Sequence, residues 1–88
     1  MLKIRIRYLL WLKEKLGKEY EYIELSDNSN IKDLIDYLCK KYGFLRELFS
    51  EDTDTRGLII LVNGKPVKND QRLGNNDEVV ILPPVSGG

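Results

Sequence analysis

The first 25 residues contain two segments with the pattern of a strand. Apolar side chains occur at every second position from Leu2 to Tyr8, which is typical of a strand with one buried face. A strand pattern resumes in Tyr20–Leu25. Residues 10–16 lack it and end at Gly17, so they form either a helical turn or an ordered loop. The pattern predicts a hairpin of two strands with a bulky connection.

The middle of the chain predicts one main helix. Asn30 can cap its start with Asp33 three residues on, and Gly43 ends the apolar spacing. The apolar stripe of this helix consists of Ile31, Leu34, Ile35, Leu38 and Tyr42. Residues 44–49 favour another short turn, and the polar, acidic residues 50–57 predict a loop. The helix has one apolar side to bury, so we expect it to pack on the sheet.

The second half predicts the remaining strands. The continuous apolar run at residues 58–62 indicates a strand covered on much of both faces. The Asn-Gly pair at residues 63–64 predicts a tight turn, with a short strand beyond it. A turn at residues 74–77 then leads into the strand Glu78–Leu82. This order predicts an α+β, two-layer β-grasp domain over residues 1–82, with a mixed sheet and one helix packed across it.

Composition limits the chemistry of the chain. With 88 residues it has room for a modest core and no deep substrate pocket. Lys plus Arg equals Asp plus Glu at 14 each, so no nucleic-acid partner is predicted. Histidine is absent and Cys39 is the only cysteine, which removes the common routes to a zinc site, a Cys-His nucleophile or a disulfide.

No targeting or membrane segment is predicted. The apolar run at residues 8–12 is shorter than the about 7 to 15 apolar residues of a signal peptide, and no small-residue cleavage site follows. No stretch reaches membrane-spanning length. We therefore expect a cytoplasmic protein with no membrane partner.

The last twelve residues, DEVVILPPVSGG, are unusual for a structural element. If Val79 and Ile81 face the core, Leu82 lies on the opposite face of the sheet, and the same parity places Leu9 outside. The two prolines that follow favour extended backbone, so residues 83–88 could span about 20 Å at about 3.3 Å per residue. The two final glycines lack a Cβ and would fit a narrow channel. The pattern predicts an extended C-terminal tail that offers its carboxylate to another protein's active site.

DEVVILPPVSGG, together with LVNGKPV and Gly17, resembles the family of ubiquitin-like sulfur carriers that includes the molybdopterin synthase small subunit (MoaD) and the thiamine sulfur carrier ThiS. The resemblance implies that an E1-like adenylating enzyme uses ATP to activate Gly88. A sulfur donor protein then displaces AMP and leaves a terminal thiocarboxylate. In molybdopterin synthase this sulfur builds the dithiolene of the molybdenum cofactor. The tail that enters the large subunit would be Pro83, Pro84, Val85, Ser86, Gly87 and Gly88.

The resemblance also implies what the chain lacks and how it docks. It implies a sulfur-donating subunit without catalytic side chains, bound cofactor or metal, monomeric when free. Leu9, Pro66 and Leu82 match the family's partner-facing apolar patch. Leu9 and Leu82 stand where aromatic residues are frequent, and Trp11 lies in the connection after the first strand. These departures bear on the choice of partner.

Other functions use the same features. A protein modifier would join Gly88 to lysines of target proteins, and a carrier for tRNA thiolation or thiamine synthesis would change only the sulfur acceptor. An interaction domain would leave the tail idle. The PPVSGG ending favours the carrier for molybdenum cofactor synthesis.

Three further features have a structural and a functional interpretation. Cys39 either packs at the helix interface or has a redox role, and packing is favoured. Lys3, Arg5 and Arg7 form either a solvated strand face or a docking site for an acidic partner. Residues 51–54 fit a solvated loop better than a cation site, because they lack the spacing of a calcium loop.

Overall fold

A computed structural model describes residues 1–48 and 58–83. These residues form a five-stranded mixed sheet with its main helix packed against one face. The strands are β1 (Leu2–Tyr8), β2 (Tyr20–Leu25), β3 (Ile59–Val62), β4 (Lys65–Pro66) and β5 (Glu78–Leu82). The helices are α1 (Trp11–Leu16), α2 (Ile31–Lys41) and α3 (Leu45–Leu48). The sheet order is β2-β1-β5-β3-β4, with β1 and β5 parallel and the other neighbours antiparallel. The predicted α+β β-grasp arrangement is confirmed.

The β1–β2 hairpin has the predicted bulky connection. Leu2 pairs with Leu25 and Arg7 pairs with Tyr20 in antiparallel register. The connection contains the helical turn α1, which ends at Gly17. Gly17 has φ 74° and donates its N–H to the carbonyl of Lys13 at 2.9 Å, a helix end that favours glycine. The helical alternative for residues 10–16 is therefore the correct one.

A capping box starts α2 where the sequence predicts it. The Asn30 side chain accepts a hydrogen bond from the Asp33 amide at 2.9 Å, and the Asp33 carboxylate accepts one from the Asn30 amide at 2.9 Å. The helix ends at Lys41, and α3 occupies the predicted short turn. Among the described residues no helix is long and apolar enough to cross a membrane. The predicted acidic loop at residues 50–57 lies outside the described residues.

Two turns set the register of the C-terminal half. Asn63 and Gly64 have φ values of 50° and 86°, the positive pair of a two-residue hairpin turn between β3 and β4. Asn63 also bonds β5, because its side-chain oxygen accepts from the Glu78 amide at 3.1 Å. In the predicted turn at residues 74–77, the Asp77 carboxylate accepts from the Gly74 amide at 2.7 Å. Both predicted turns are confirmed.

The core lies between α2 and one face of the sheet. Its most buried side chains are Ile4, Ile6, Tyr8, Leu12, Leu34, Leu38, Leu45, Val79 and Ile81. Val79 and Ile81 are on the core side, as parity predicts, and Leu82 is on the opposite face. Cys39 is buried in this cluster, and burial raises the pKa of its thiol. A buried, protonated thiol is unreactive, which supports packing over a redox role.

One buried carboxylate ties α2 to the sheet. Glu21 of β2 accepts hydrogen bonds from the hydroxyls of Tyr8 at 2.6 Å and Tyr42 at 2.8 Å, and from the ammonium of Lys41. The Lys18 ammonium lies 3.7 Å away. Burial alone raises the pKa of Glu21, but the hydrogen bonds from Lys41, Tyr8 and Tyr42 and the charge of Lys18 outweigh it and lower the pKa. Glu21 is therefore ionised in the folded protein.

Replacing this carboxylate gives a pH-dependent stability prediction. Glu21→Gln should lower the free energy of unfolding at neutral pH by about 2 kcal/mol, because it removes a charged acceptor of several hydrogen bonds. The folded pKa of Glu21 is below the unfolded one, so its contribution is full above the ordinary glutamate pKa of about 4.3 and is lost as the pH falls through the folded value.

Urea unfolding of the parent and Glu21→Gln should thus differ at about pH 7 and converge as the pH is lowered below the ordinary glutamate pKa of about 4.3. Glu24→Gln is the matched control, because Glu24 is exposed on the same strand. A difference between parent and Glu21→Gln that stays constant over this range would contradict the assignment.

The faces of β5 give a second stability prediction. Ile81→Asp should destabilise the fold by more than about 3 kcal/mol, because it buries an unpaired carboxylate in the core. Leu82→Asp should cost about 1 kcal/mol or less, because this side chain is half-exposed on the outer face. Thermal melts of both variants measure this. If Leu82→Asp melts below Ile81→Asp, the assignment of the faces is inverted.

Candidate partner-binding face and tail root

The outer face of the sheet, opposite α2, carries two rows of side chains across the strands. At the end of β5, Leu82 pairs with Ile59. Leu9 continues the alternation of β1 beside them, because its N–H donates to the carbonyl of Ile81 at 3.2 Å. The second row is Arg7, Val80, Leu61 and Pro66, which are paired across β1, β5, β3 and β4. None of these side chains belongs to the buried core cluster or to the apolar side chains packed against it.

These rows form an outer apolar patch, defined as Leu9, Ile59, Leu61, Pro66, Val80 and Leu82. Ile59 is 51% exposed and Pro66 is exposed, whereas the other four are half-buried. The structure therefore brings the three interface residues expected from the sequence, Leu9, Pro66 and Leu82, onto one face. A contiguous apolar surface of this kind is typical of a protein-binding site.

The expected burial of β3 on both faces is wrong for the described chain. Ile59, at the start of β3, is 51% exposed, because α2 crosses only one face of the sheet. A strand whose second face binds a partner protein has the same continuous apolar sequence as a strand that is buried on both faces within its own domain. Sequence reasoning missed Ile59, Leu61 and Val80 for this reason. These residues could be found from their pairing with Leu82 and Pro66 on neighbouring strands. That pairing is known only once the order of the strands in the sheet is known.

The basic residues of β1 are already paired within the chain. The guanidinium of Arg5 lies 4.1 Å from the centre of the Tyr20 ring and 3.3 Å from the Glu78 carboxylate. Arg7 forms an ion pair with Glu19 at 3.0 Å. Each of the two arginines has its own carboxylate, and the Lys3 ammonium lies 5.0 Å from the centre of the Tyr22 ring. The solvated-face interpretation is therefore favoured over a docking site for an acidic partner.

The root of the tail is fixed at the edge where β1 and β5 end. The two strands are parallel and Tyr8 pairs with Ile81, so β1 and β5 end at the same edge of the sheet. Pro83, the first residue after β5, is fully buried. The predicted tail residues Pro84, Val85, Ser86, Gly87 and Gly88 lie outside the described residues, and their roles remain predictions. Within residues 1–48 and 58–83, no group of three or more His, Cys, Asp or Glu side chains is placed to hold a metal.

Comparison with known proteins agrees with this arrangement. The ThiS family model matches residues 6–88. The chain is 35% identical over 81 residues to the molybdopterin synthase sulfur carrier subunit of Dictyostelium discoideum. The alignment covers 88% of this chain and 86% of that protein. Its fold is similar to a putative molybdopterin converting factor, subunit 1, of Pyrococcus furiosus, with TM-score 0.82, 30% identity, and coverage of 97% of this chain and 100% of that chain.

A third likeness is to a protein–protein complex of subunits 1 and 2 of the molybdopterin-converting factor from Helicobacter pylori. The TM-score is 0.65 at 20% identity, with coverage of 99% of this chain and 100% of that chain, so this likeness shows the fold. The family match is stronger evidence, because it runs through the strand β5 and the Gly-Gly ending. The chain therefore belongs to the ThiS family of ubiquitin-like sulfur carriers.

Proposed function

We propose that this chain is the sulfur carrier subunit of a molybdopterin synthase and that Gly88 is its reacting residue. The observation that carries the proposal is the combination of a family match that includes Gly88 with an outer apolar patch beside the root of the tail. The 35% identity to a molybdopterin synthase sulfur carrier subunit favours this acceptor over tRNA or thiamine. The proposal is consistent with the cytoplasmic location expected from the sequence.

The chemistry that this proposal requires takes place on the C-terminal carboxylate. A carboxylate is a poor acyl donor, because its charge repels nucleophiles and its oxygen is a poor leaving group. A carboxylate oxygen of Gly88 attacks the α-phosphorus of ATP in an E1-like enzyme, and pyrophosphate leaves. The terminal sulfur of a donor protein's cysteine persulfide then attacks the carbonyl carbon, and AMP leaves. A second thiol breaks the S–S bond of this adduct, so that the donor leaves as a disulfide and the sulfur stays on Gly88. The resulting thiocarboxylate carries a nucleophilic sulfur.

The folded domain contributes binding and position to this chemistry. The partners hold ATP and the sulfur acceptor, so the carrier has to deliver its terminus at a defined distance from a docked surface. Pro83 is buried and Leu82 is part of the outer apolar patch, so docking of the patch would fix where the tail starts. Fixing the start of a short segment reduces the entropic cost of placing its end.

The position of the terminal carboxylate is the first functional prediction. Adding one alanine after Gly88 should reduce ATP–pyrophosphate exchange by the cognate adenylating enzyme about a hundredfold or more, because it moves the reacting atom by about 3.5 Å and adds a methyl group. Removal of Gly87 and Gly88 should have a similar effect. Melting temperatures should not change, because a chain end makes few stabilising contacts. Near-parental exchange by both variants would contradict activation through Gly88.

The outer apolar patch gives the second functional prediction. Leu82→Asp and Ile59→Asp should each weaken binding to the large subunit by about tenfold or more, because they place a charge at an apolar interface. Tyr37→Asp is the control, since Tyr37 is exposed on α2, on the other side of the sheet. Titration calorimetry measures the affinities. Equal affinity of all three variants and the parent would show that the large subunit binds elsewhere.

A further inference from the structure

The turn between β1 and α1 holds a leucine where glycine is preferred. Leu9 accepts a hydrogen bond from the Leu12 amide at 3.2 Å, so residues 9–12 form a four-residue turn with Leu10 and Trp11 in its centre. Leu10 has φ 56° and ψ −136°. These angles fit the first central position of a type II′ turn, where a Cβ is crowded by the backbone and glycine dominates. Leucine at this position costs about 1 to 3 kcal/mol.

Burial of the Leu10 side chain does not offset this strain. The side chain of Leu10 is 56% exposed, and that of the next residue, Trp11, is 40% exposed. The core contact of this turn comes from Leu12, which is fully buried. Glycine at residue 10 would keep the turn and remove the strain. A strained, exposed apolar side chain of this kind indicates a functional requirement.

The turn lies at the same edge of the sheet as the tail root. Leu10 directly follows Leu9, whose amide bonds the carbonyl of Ile81, two residues before Pro83. Leu10 and Trp11 therefore follow Leu9 of the outer apolar patch directly along the chain, at the edge of the sheet where the tail begins. A protein that receives the tail and covers the patch meets this turn as well.

We infer that Leu10 and Trp11 form an apolar docking element for the large subunit, an inference that rests on the proposed function. The large subunit is the partner that we assign, because the relative at 35% identity is a subunit of molybdopterin synthase and an apolar surface is typical of contacts between subunits of one enzyme. Exposed tryptophan next to aliphatic side chains is also a typical centre of binding energy in such interfaces.

Leu10→Gly tests the inference, because the fold and the interface respond in opposite directions. The melting temperature should stay equal or rise, since relief of strain offsets the added freedom of the unfolded chain. The affinity for the purified large subunit should fall at least about fivefold. Trp11→Ser should lower it by about tenfold or more. Tyr37→Ser, which removes an exposed aromatic side chain on α2, is the matched control and should bind as the parent does.

The measurements are thermal melts, calorimetric titration with the large subunit, and ATP–pyrophosphate exchange with the adenylating enzyme. The inference is supported if Leu10→Gly and Trp11→Ser both lose affinity for the large subunit and keep near-parental ATP–pyrophosphate exchange. Unchanged affinity in both variants, with normal binding by the parent, overturns the inference and leaves the proposed function intact. If the variants lose affinity for the large subunit and exchange by the adenylating enzyme to the same extent, the assignment to the large subunit is wrong. If the parent binds no large subunit, the proposed function itself fails, and the inference fails with it.

Discussion

The parallel pairing of β1 with β5 is the constraint on which the rest of the molecule depends. The first and last strands of the domain lie side by side at the centre of the sheet, with Ile6 beside Val79 and Tyr8 beside Ile81. Parallel neighbours cannot be joined by a tight turn, so the chain between them must cross over the sheet. That crossover contains α2, which covers the core face. The same pairing makes both strands end at one edge, where the tail begins.

The register of β5 is held by polar contacts more than by its apolar pattern. Val79, Val80, Ile81 and Leu82 are all apolar, so a shift by one residue would still bury two aliphatic side chains. The contacts that oppose such a shift lie at the start of the strand. Asn63 bonds the Glu78 amide, and the Asn63 amide bonds the Glu78 carbonyl at 2.8 Å. These bonds select which side chains face the core and which remain for a partner.

Local signals predicted the elements well, because each depends on neighbouring residues. The alternation of β1, the capping box at Asn30 and the Asn-Gly turn are complete within a few positions. Parity in β5 also placed Val79 and Ile81 in the core. The sequence could not show the environment of Glu21, because its hydrogen-bond partners come from other segments of the chain that only the fold brings together.

The candidate site was predicted in part. Leu9, Pro66 and Leu82 were expected from parity and family resemblance, and they do lie on one face, whereas their role in binding stays a prediction. Ile59 was missed because an apolar run does not reveal what covers its second face. The conformation of Leu10 was missed because it opposes the local preference of leucine. The function of residues 84–88 rests on the family alone.

The single uncovered face of the sheet has a kinetic consequence for a carrier that visits more than one enzyme. Within the described chain, the outer apolar patch lies beside the tail root, so any two proteins that both require the patch and the tail exclude one another. Under the proposed function, a spent carrier would have to dissociate before it could be recharged, and its dissociation rate would set an upper limit on turnover. Since differences in affinity arise mostly from dissociation rates, the tightest possible interface would slow the cycle. Selection on such a surface favours moderate affinity.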